Sequence, residues 1–301
     1  IILDPIHNTN ETVMPIDEFN TWIEKNNAHL NIAGTIFCGH DKYISIFNTV
    51  ISLLFNGRKV YKAKMLHAKE SGDKKNQVAF NGKQMADKIL ANSLYGALAN
   101  EHFKFYNNDL AKSVTLTGQE LLKYCTVHCD DFMASRGKSS TFKLNKDFMN
   151  KVKSLKDVIY GDTDSMFVYL TDFLKDQKIE VKKSPEVLKE IEKIQKFVNE
   201  VALCDFLKLH NIPKKDSMIF LKNEYIFSKY YTLNGKKHYA SRVISQEGKD
   251  ISEIDIKGLE IKRSEIPERS QKLLKEILDV ILGDTKKENI KGEVDKIVDR
   301  S

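Results

Sequence analysis

The sequence predicts an α+β fold: an antiparallel sheet with packed helices, accompanied by a two-helix antiparallel subdomain. Three observations predict it. Residues 46–100 carry apolar side chains at helical spacing, interrupted once by a polar turn that contains glycine. Two apolar, β-prone runs, Val158-Ile159-Tyr160 and Met166-Phe167-Val168-Tyr169, flank a short polar stretch and read as a β-hairpin. Asn234-Gly235, between runs of aromatic and β-branched residues, is the strongest two-residue hairpin signal a sequence can carry.

The totals set the scale. A chain of 301 residues can bury one large core or two to three subdomains, and 41% hydrophobic with 9% aromatic residues fits a folded protein. The net charge of +6, from 48 Lys and Arg against 42 Asp and Glu, permits a polyanionic partner without demanding one. Of the four cysteines, Cys38, Cys125, Cys129 and Cys204, none forms a CxxC pair. Cys125 and Cys129 read as core thiols on one helix, and a reduced, cytoplasmic compartment is the expectation. No apolar run reaches the length of a membrane span. The chain opens Ile-Ile-Leu-Asp with no signal-peptide pattern, which reads as a piece of a larger protein.

In chain order, residues 1–45 are mixed, with a short helix expected over Asp17 to Lys25 and a strand over Ile32 to Phe37. From Ile46, the spacing of Phe47, Val50, Ile51 and Leu54 predicts a helix face that continues into Arg58, Lys62 and Met65. Glu70 to Gln77 is the turn. A second helix from about Gln77 to Ala99 places Lys88, Asn92 and Tyr95 on one face and Leu90, Leu94 and Ala97 roughly opposite. Three cations with an amide and a phenol suit a polyphosphate and a flat nucleoside, although a basic face can also be simply solvated. Leu110, Val114, Leu121, Cys125 and Phe132 predict a long helix with Asp109 as N-cap. Ser184-Pro185-Glu186 starts another, buried along Val187, Ile191, Ile194, Val198 and Val201 and ending by Asn211-Ile212-Pro213. Met218 to Leu233 reads as strand. In the return strand from Lys236 to Ala240, Lys237 and Tyr239 share one face. Glu247 to Asp250 is a turn, Ile251 to Lys262 is extended, and Pro267 opens a last helix that ends near Gly283.

The chemistry concentrates at Tyr160-Gly161-Asp162-Thr163-Asp164-Ser165. Two carboxylates one residue apart at a tight tip repel, so they need a cation, a shared proton or water. A hard divalent ion with oxygen ligands is the natural partner; a solvated turn is the other reading.

Five blocks in this order resemble family B (polymerase α-like) DNA polymerases, nearest in flavour to the phage replicative branch. Phe55 to Lys62 resembles the first fingers helix, and Lys88-Ile89-Leu90-Ala91-Asn92-Ser93-Leu94-Tyr95-Gly96 the KxxxNSxYG block of the second. Tyr160 to Ser165 resembles the YGDTDS block of the palm. Lys236-Lys237-His238-Tyr239-Ala240 resembles the KKRYA block, and Lys257-Gly258-Leu259-Glu260 the KGxE block at the border of palm and thumb. The resemblance implies a palm with a fingers hairpin: residues 1–45 a palm-side N-terminal segment, 46–100 the fingers, 101–256 the palm, 257–301 an incomplete start of the thumb. It implies nucleotidyl transfer from a dNTP to a primer 3′-OH with two Mg²⁺ ions, Mn²⁺ being a substitute. Asp164 and Asp162 would be the metal-site and catalytic carboxylates. Arg58, Lys62 and Lys88 would hold the triphosphate, and Asn92 and Tyr95 would pack near sugar and base. Lys236, Lys237, Tyr239, Lys257 and Arg263 would touch the primer-template DNA, and Glu224 is a weaker candidate for a further carboxylate. A sliding clamp is a further implied partner; a membrane is not.

The departures are specific. His238 stands where the family commonly has Arg, which makes one duplex contact weaker or pH-dependent. The family's DxxSLYP block, which carries its other metal carboxylate, does not occur here; Asp4, Asp17 and Asp41 lack that context. No 3′–5′ exonuclease region is recognisable. The expectation is a polymerase that needs the missing N-terminal part for activity. The alternatives are a DNA-binding or assembly module that kept the fold and lost the chemistry, and an RNA-templated or RNA-making polymerase, which the NSLYG block disfavours.

Overall fold

The structure, a computed structural model, describes residues 13–39, 44–137, 146–233, 237–259, 261 and 265–300. In chain order its elements are α1 (Ile16–Lys25), β1 (His29–Leu30), β2 (Ile36–Phe37), α2 (Ile46–Glu70), α3 (Lys74–Leu98) and α4 (Asn108–Ala134). There follow α5 (Lys146–Lys153), β3 (Val158–Asp162), β4 (Ser165–Val168), α6 (Thr171–Asp176), α7 (Pro185–Phe197) and α8 (Leu203–Leu209). The chain closes with β5 (Tyr225–Thr232), β6 (Tyr239–Gln246), β7 (Lys249–Lys257), α9 (Glu268–Leu282) and α10 (Ile290–Asp299). Helices with small antiparallel sheets make the fold α+β, as the periodicities predict. The chain divides into two compact units, Ile1–Cys125 with Ala202–Met218, and Thr126–Val201 with Ile219–Ser301.

In the first unit, α2 and α3 pair as the expected helical hairpin. Ser45 caps α2 by accepting from the Asn48 N–H at 3.2 Å. Asp73 caps α3 by accepting from the Asn76 N–H at 3.0 Å, so α3 starts at Lys74, three residues before the predicted Gln77. The face that α2 turns inward also differs from the expected one: Val50 and Ile51 are exposed, and the shielded residues are Leu54, Arg58, Tyr61, Met65 and Ala68. Opposite them α3 shields Phe80, Gln84, Asp87, Ala91, Leu94 and Leu98, while Leu90 is exposed. Both stripes alternate steps of three and four, the spacing that keeps two helices in register along a seam. Tyr61 and Phe80 stack across the seam with centroids 6.4 Å apart. The Asn107 side chain, rather than Asp109, caps α4, accepting from the Leu110 N–H at 2.8 Å; Asp109 lies in the first turn, where its charge favours the helix dipole. Of the strand predicted over Ile32 to Phe37, only Ile36 and Phe37 pair, with Leu30 and His29.

The second unit is layered on the sheet β5-β6-β7. Glu247 and Gly248, both at positive φ, make a two-residue turn between β6 and β7, tighter than the turn expected over Glu247 to Asp250, since Lys249 and Asp250 already pair in β7. One sheet face, through Ala240 and Ile256, packs on Leu278 and Leu282 of α9. Arg242 fastens that layer by donating to the Leu282 carbonyl at 2.6 Å and to Asp279 at 3.1 Å, and Lys229 donates to the Gly283 carbonyl. Cations thus satisfy the carbonyls at the C-terminus of α9. The charged stretch beyond Gly283 forms a further helix, α10, so α9 is not the last.

Ser184 caps α7, and Val187, Ile194 and Val198 are buried as predicted. One π-helical turn, Val198–Ala202, follows α7 and was not legible in the periodicity. There Asn199 donates to the Leu221 carbonyl at 2.8 Å and accepts from the Leu221 N–H at 2.9 Å. Gln195 accepts from the Asn223 N–H at 2.7 Å. Side-chain amides therefore hold an extended segment against the helix, and the ladder of β5 begins only at Tyr225 rather than near Met218. On α4, Cys125 in the first unit and Cys129 in the second are fully buried, and burial pushes the Cys125 thiol up to about 12. Among the described residues no helix is long and apolar enough to cross a membrane.

Candidate active site

β3 and β4 form the predicted antiparallel hairpin, with Asp162 paired to Ser165 across its tip. Asp130 fixes the entry to this hairpin: one carboxylate oxygen accepts from the backbone N–H groups of Lys156, Asp157 and Val158 at 3.0, 2.7 and 3.1 Å. At the tip, Thr163 holds φ at +55°, and the Asp164 N–H donates to the Asp162 carbonyl at 2.6 Å. Those two features define a three-residue γ-turn of the rare, strained hand. A β-branched residue held there costs on the order of 1–3 kcal/mol, which the surrounding contacts must offset. The Thr163 hydroxyl donates to Asp162 Oδ1 at 3.1 Å, and the Ser165 hydroxyl donates to the Asp162 carbonyl at 3.2 Å.

An aromatic platform supplies the offset. Tyr160 and Phe167, one on each hairpin strand, lie 5.0 Å apart and both meet Tyr239, at 5.7 and 5.5 Å. Phe167 also meets Phe227 and Tyr230, at 5.3 and 5.6 Å, and Tyr230 meets Tyr239 at 5.4 Å. Such pairs contribute about 0.5–1.5 kcal/mol each beyond their buried area. The hairpin is thereby seated on the sheet face opposite α9.

Lys237 reaches the tip: its ammonium lies 3.4 Å from Asp162 Oδ2. It does not do so by strand alternation, as the sequence suggests. β6 begins at Tyr239, and Lys237 precedes it with φ at +65°. Gly258, at φ +63°, makes room, because a Cβ there would stand 2.1 Å from the Lys237 carbonyl oxygen. The KGxE-like block is thus tied physically to the Lys-Lys-His-Tyr block. Lys257 pairs in register with Tyr239 and lies 3.4 Å from Asp255. Burial, then Asp255, Tyr160, Tyr230 and Asp162 in turn, push the Tyr239 phenol up to about 12, so it remains a neutral hydrogen-bonding group. Lys236, Arg263 and the Asn234-Gly235 turn lie outside the described residues. Glu224 is exposed and precedes the far end of β5, six residues from Tyr230, roughly 20 Å along an extended strand, so it does not join the acids at the tip.

The donor set at the tip fits a divalent ion of the magnesium class, which takes one or two carboxylates and completes its shell with water and substrate phosphate. Asp164 is exposed and Asp162 half-buried, both at the turn. Among the described residues no group of three or more His, Cys, Asp or Glu side chains is placed to hold a metal without such help.

The helical hairpin carries the other predicted set. Lys88, Asn92 and Tyr95 are exposed together on one face of α3, as their spacing predicts, and Arg58 and Lys62 are half-buried on α2. The sequence reading missed Gln84, whose carbonyl oxygen accepts from Arg58 Nε at 3.4 Å. Its one signal is spacing, four residues after Phe80 and seven before Ala91, which puts it in line with the residues that α3 shields. Asp130 and Asp255 were missed as well; neither has a motif.

Residues 7–301 match the sequence profile of DNA polymerase family B. The chain belongs to that family. Among its relatives in family B, it is 28% identical over 246 residues to the DNA-directed DNA polymerase of Escherichia phage RB69, covering 72% of this chain and 24% of the phage protein. To the DNA-directed DNA polymerase of Enterobacteria phage T4 it is 26% identical over 268 residues, covering 80% and 26%. To the DNA polymerase alpha catalytic subunit of Arabidopsis thaliana it is 27% identical over 206 residues, covering 68% and 10%. The chain spans about a quarter of the length of the family B phage relatives that it matches.

Proposed function

We propose that this chain supplies the nucleotide-binding and C-terminal catalytic part of a DNA-directed DNA polymerase, which joins a dNTP to a primer 3′-OH. The observation that carries the proposal is the pair Asp162 and Asp164 on a strained, platform-seated turn, with Lys237 3.4 Å from Asp162. On this reading α2 and α3 are the fingers, the sheet and the β-hairpin belong to the palm, and the residues after Lys257 begin the thumb. Divalent ions, when bound, supply charge neutralisation at the attacking and leaving oxygens. Asp164 offers its exposed carboxylate to that site, and Asp162 positions the tip through its bonds with Thr163 and Lys237. Arg58, Lys62 and Lys88 neutralise the triphosphate, Asn92 and Tyr95 pack on sugar and base, and Lys237 and Lys257 track the duplex backbone. Each such group contributes on the order of 2–4 kcal/mol to the transition state. The DxxSLYP block is absent from these 301 residues, so the second metal carboxylate comes from another polypeptide segment.

Primer extension tests this. The purified chain alone gives no product, and it gains Mg²⁺-dependent extension when mixed with a polypeptide that carries the DxxSLYP block. Asp164→Ala in the mixture lowers the rate by about 10²-fold or more. Robust extension by the chain alone would refute the need for a second carboxylate, and near-wild-type activity of Asp164→Ala would remove that residue from the metal site. A mixture that binds duplex but never extends it is the result expected of a non-catalytic DNA-binding subunit.

A further inference from the structure

We infer that Gln84 is a positioning residue for the incoming nucleotide: it holds the Arg58 guanidinium across the helical hairpin so that the two terminal amino groups face a triphosphate. The inference rests on the proposed role of Arg58.

Gln84 is one of only two fully shielded residues of α3, at 8% exposed, and the other is Leu98. A buried amide at a helix seam is costly unless both of its ends are bonded. Here both are. Gln84 Nε2 donates to Asn81 Oδ1 at 2.9 Å, and Gln84 Oε1 accepts from Arg58 Nε at 3.4 Å. The order of these bonds matters. Asn81, on the exposed side of the same helix, presents its carbonyl oxygen and so takes the amino end of Gln84. Only the carbonyl end is then left for α2. The reversed amide would point an N–H at a permanent cation.

The guanidinium has five N–H groups in a rigid plane. With Nε–H directed at Gln84, the plane is fixed and the opposite edge, four N–H groups on two nitrogens, is left to grip phosphate oxygens in the bidentate manner that suits this group. Among the described residues no other partner engages the Arg58 guanidinium. The position along the hairpin is also apt. In an antiparallel pair in which Arg58 faces Gln84, Lys62 lies one turn toward the connecting turn and Lys88 one turn away from it. The two lysines are then roughly 12 Å apart along the axis, with Arg58 between them. Gln84 thus orients the central cation of three.

A double-mutant cycle on nucleotide affinity tests the inference with the full chain, using a dNTP and inorganic tripolyphosphate as probes. Gln84→Leu, which keeps the seam filled, weakens both probes by about tenfold. Gln84→Glu, which keeps the acceptor, stays near wild type in orientation-dependent binding of the dNTP. Arg58→Ala weakens both probes, and adding Gln84→Leu to Arg58→Ala has no further effect. If Arg58→Ala itself leaves affinity unchanged, the role of Arg58 fails and the inference falls with it. If Arg58→Ala weakens binding but Gln84→Leu does not, or if the two losses simply add, Arg58 stands and the positioning role of Gln84 is overturned. Thermal unfolding of each variant separates loss of binding from loss of fold: a Gln84→Leu protein that binds weakly only because it unfolds at the assay temperature also refutes the inference.

Discussion

Gly258→Ala probes the contact that joins the two sequence blocks beside the hairpin. Two separate costs arise. Gly258 sits at φ +63°, where an L-residue pays roughly 1–2 kcal/mol. Its new methyl would also stand 2.1 Å from the Lys237 carbonyl oxygen and 3.0 Å from the carbonyl carbon. Those are backbone atoms, so no rotamer change relieves the overlap, and overpacking of this kind costs about 1–3 kcal/mol. The expected loss is roughly 2–5 kcal/mol. Gly248→Ala is the internal control, because Gly248 has φ +82° and a methyl added there would meet nothing within 4 Å. It carries the first cost alone. Urea unfolding followed by far-UV circular dichroism gives both values, and the difference between them isolates the overlap with Lys237. Because that overlap displaces the residue that reaches Asp162, the duplex-tracking role proposed for Lys237 implies that Gly258→Ala also weakens duplex binding while Gly248→Ala does not. Equal destabilisation by the two substitutions would refute the idea that Gly258 is required for its closeness to Lys237.

Two further outcomes follow from the hairpin's entry. Asp130→Ala leaves three backbone N–H groups without their shared acceptor and lowers unfolding stability by about 2–4 kcal/mol in urea titrations, whereas Asp130→Asn recovers part of the loss; a change under about 0.5 kcal/mol would show that water replaces the carboxylate. Burial first, then the neighbouring Asp130 and Asp172, raise the Asp157 carboxyl above its ordinary 3.8. A raised acid favours the fold below its unfolded value and loses that contribution as pH rises through its folded value, so Asp157→Asn raises the thermal midpoint at pH 7 and leaves it unchanged near pH 3, and a stabilisation equal at both pH values would contradict the assignment.

How much of this was legible depended on whether the deciding interaction was local. The β-hairpin at Asp162 and the Glu247-Gly248 turn were legible because alternation and turn chemistry act within a few residues. The Ser184 cap was legible for the same reason. The inward face of α2 was not: Val50 and Ile51 fit a helical stripe, yet the seam is chosen by what α3 offers, and α3 offers Gln84 and Asp87. Asp109 looked like a cap by type, but Asn107 has the position from which to accept the Leu110 N–H. Strand alternation puts Lys237 beside Tyr239 on a regular strand, whereas it precedes β6 at positive φ, which has no signature in sequence at a lysine. Asp130 bonds residues 26 to 28 positions away, and no periodicity encodes that.

The aromatic platform sets a mechanical tolerance. Asp162 lies two residues beyond Tyr160, so the tip overhangs its nearest clamp by roughly 7 Å. A rocking of the hairpin by about 5° then moves the carboxylates by only about 0.6 Å, close to the margin that the catalytic role proposed for them would require. A clamp set one pair of residues farther back would double that overhang and the error with it. Tyr160 and Phe167 act as the fulcrum of a short lever. Trimming either ring would leave the acids in place on average and cost them their precision.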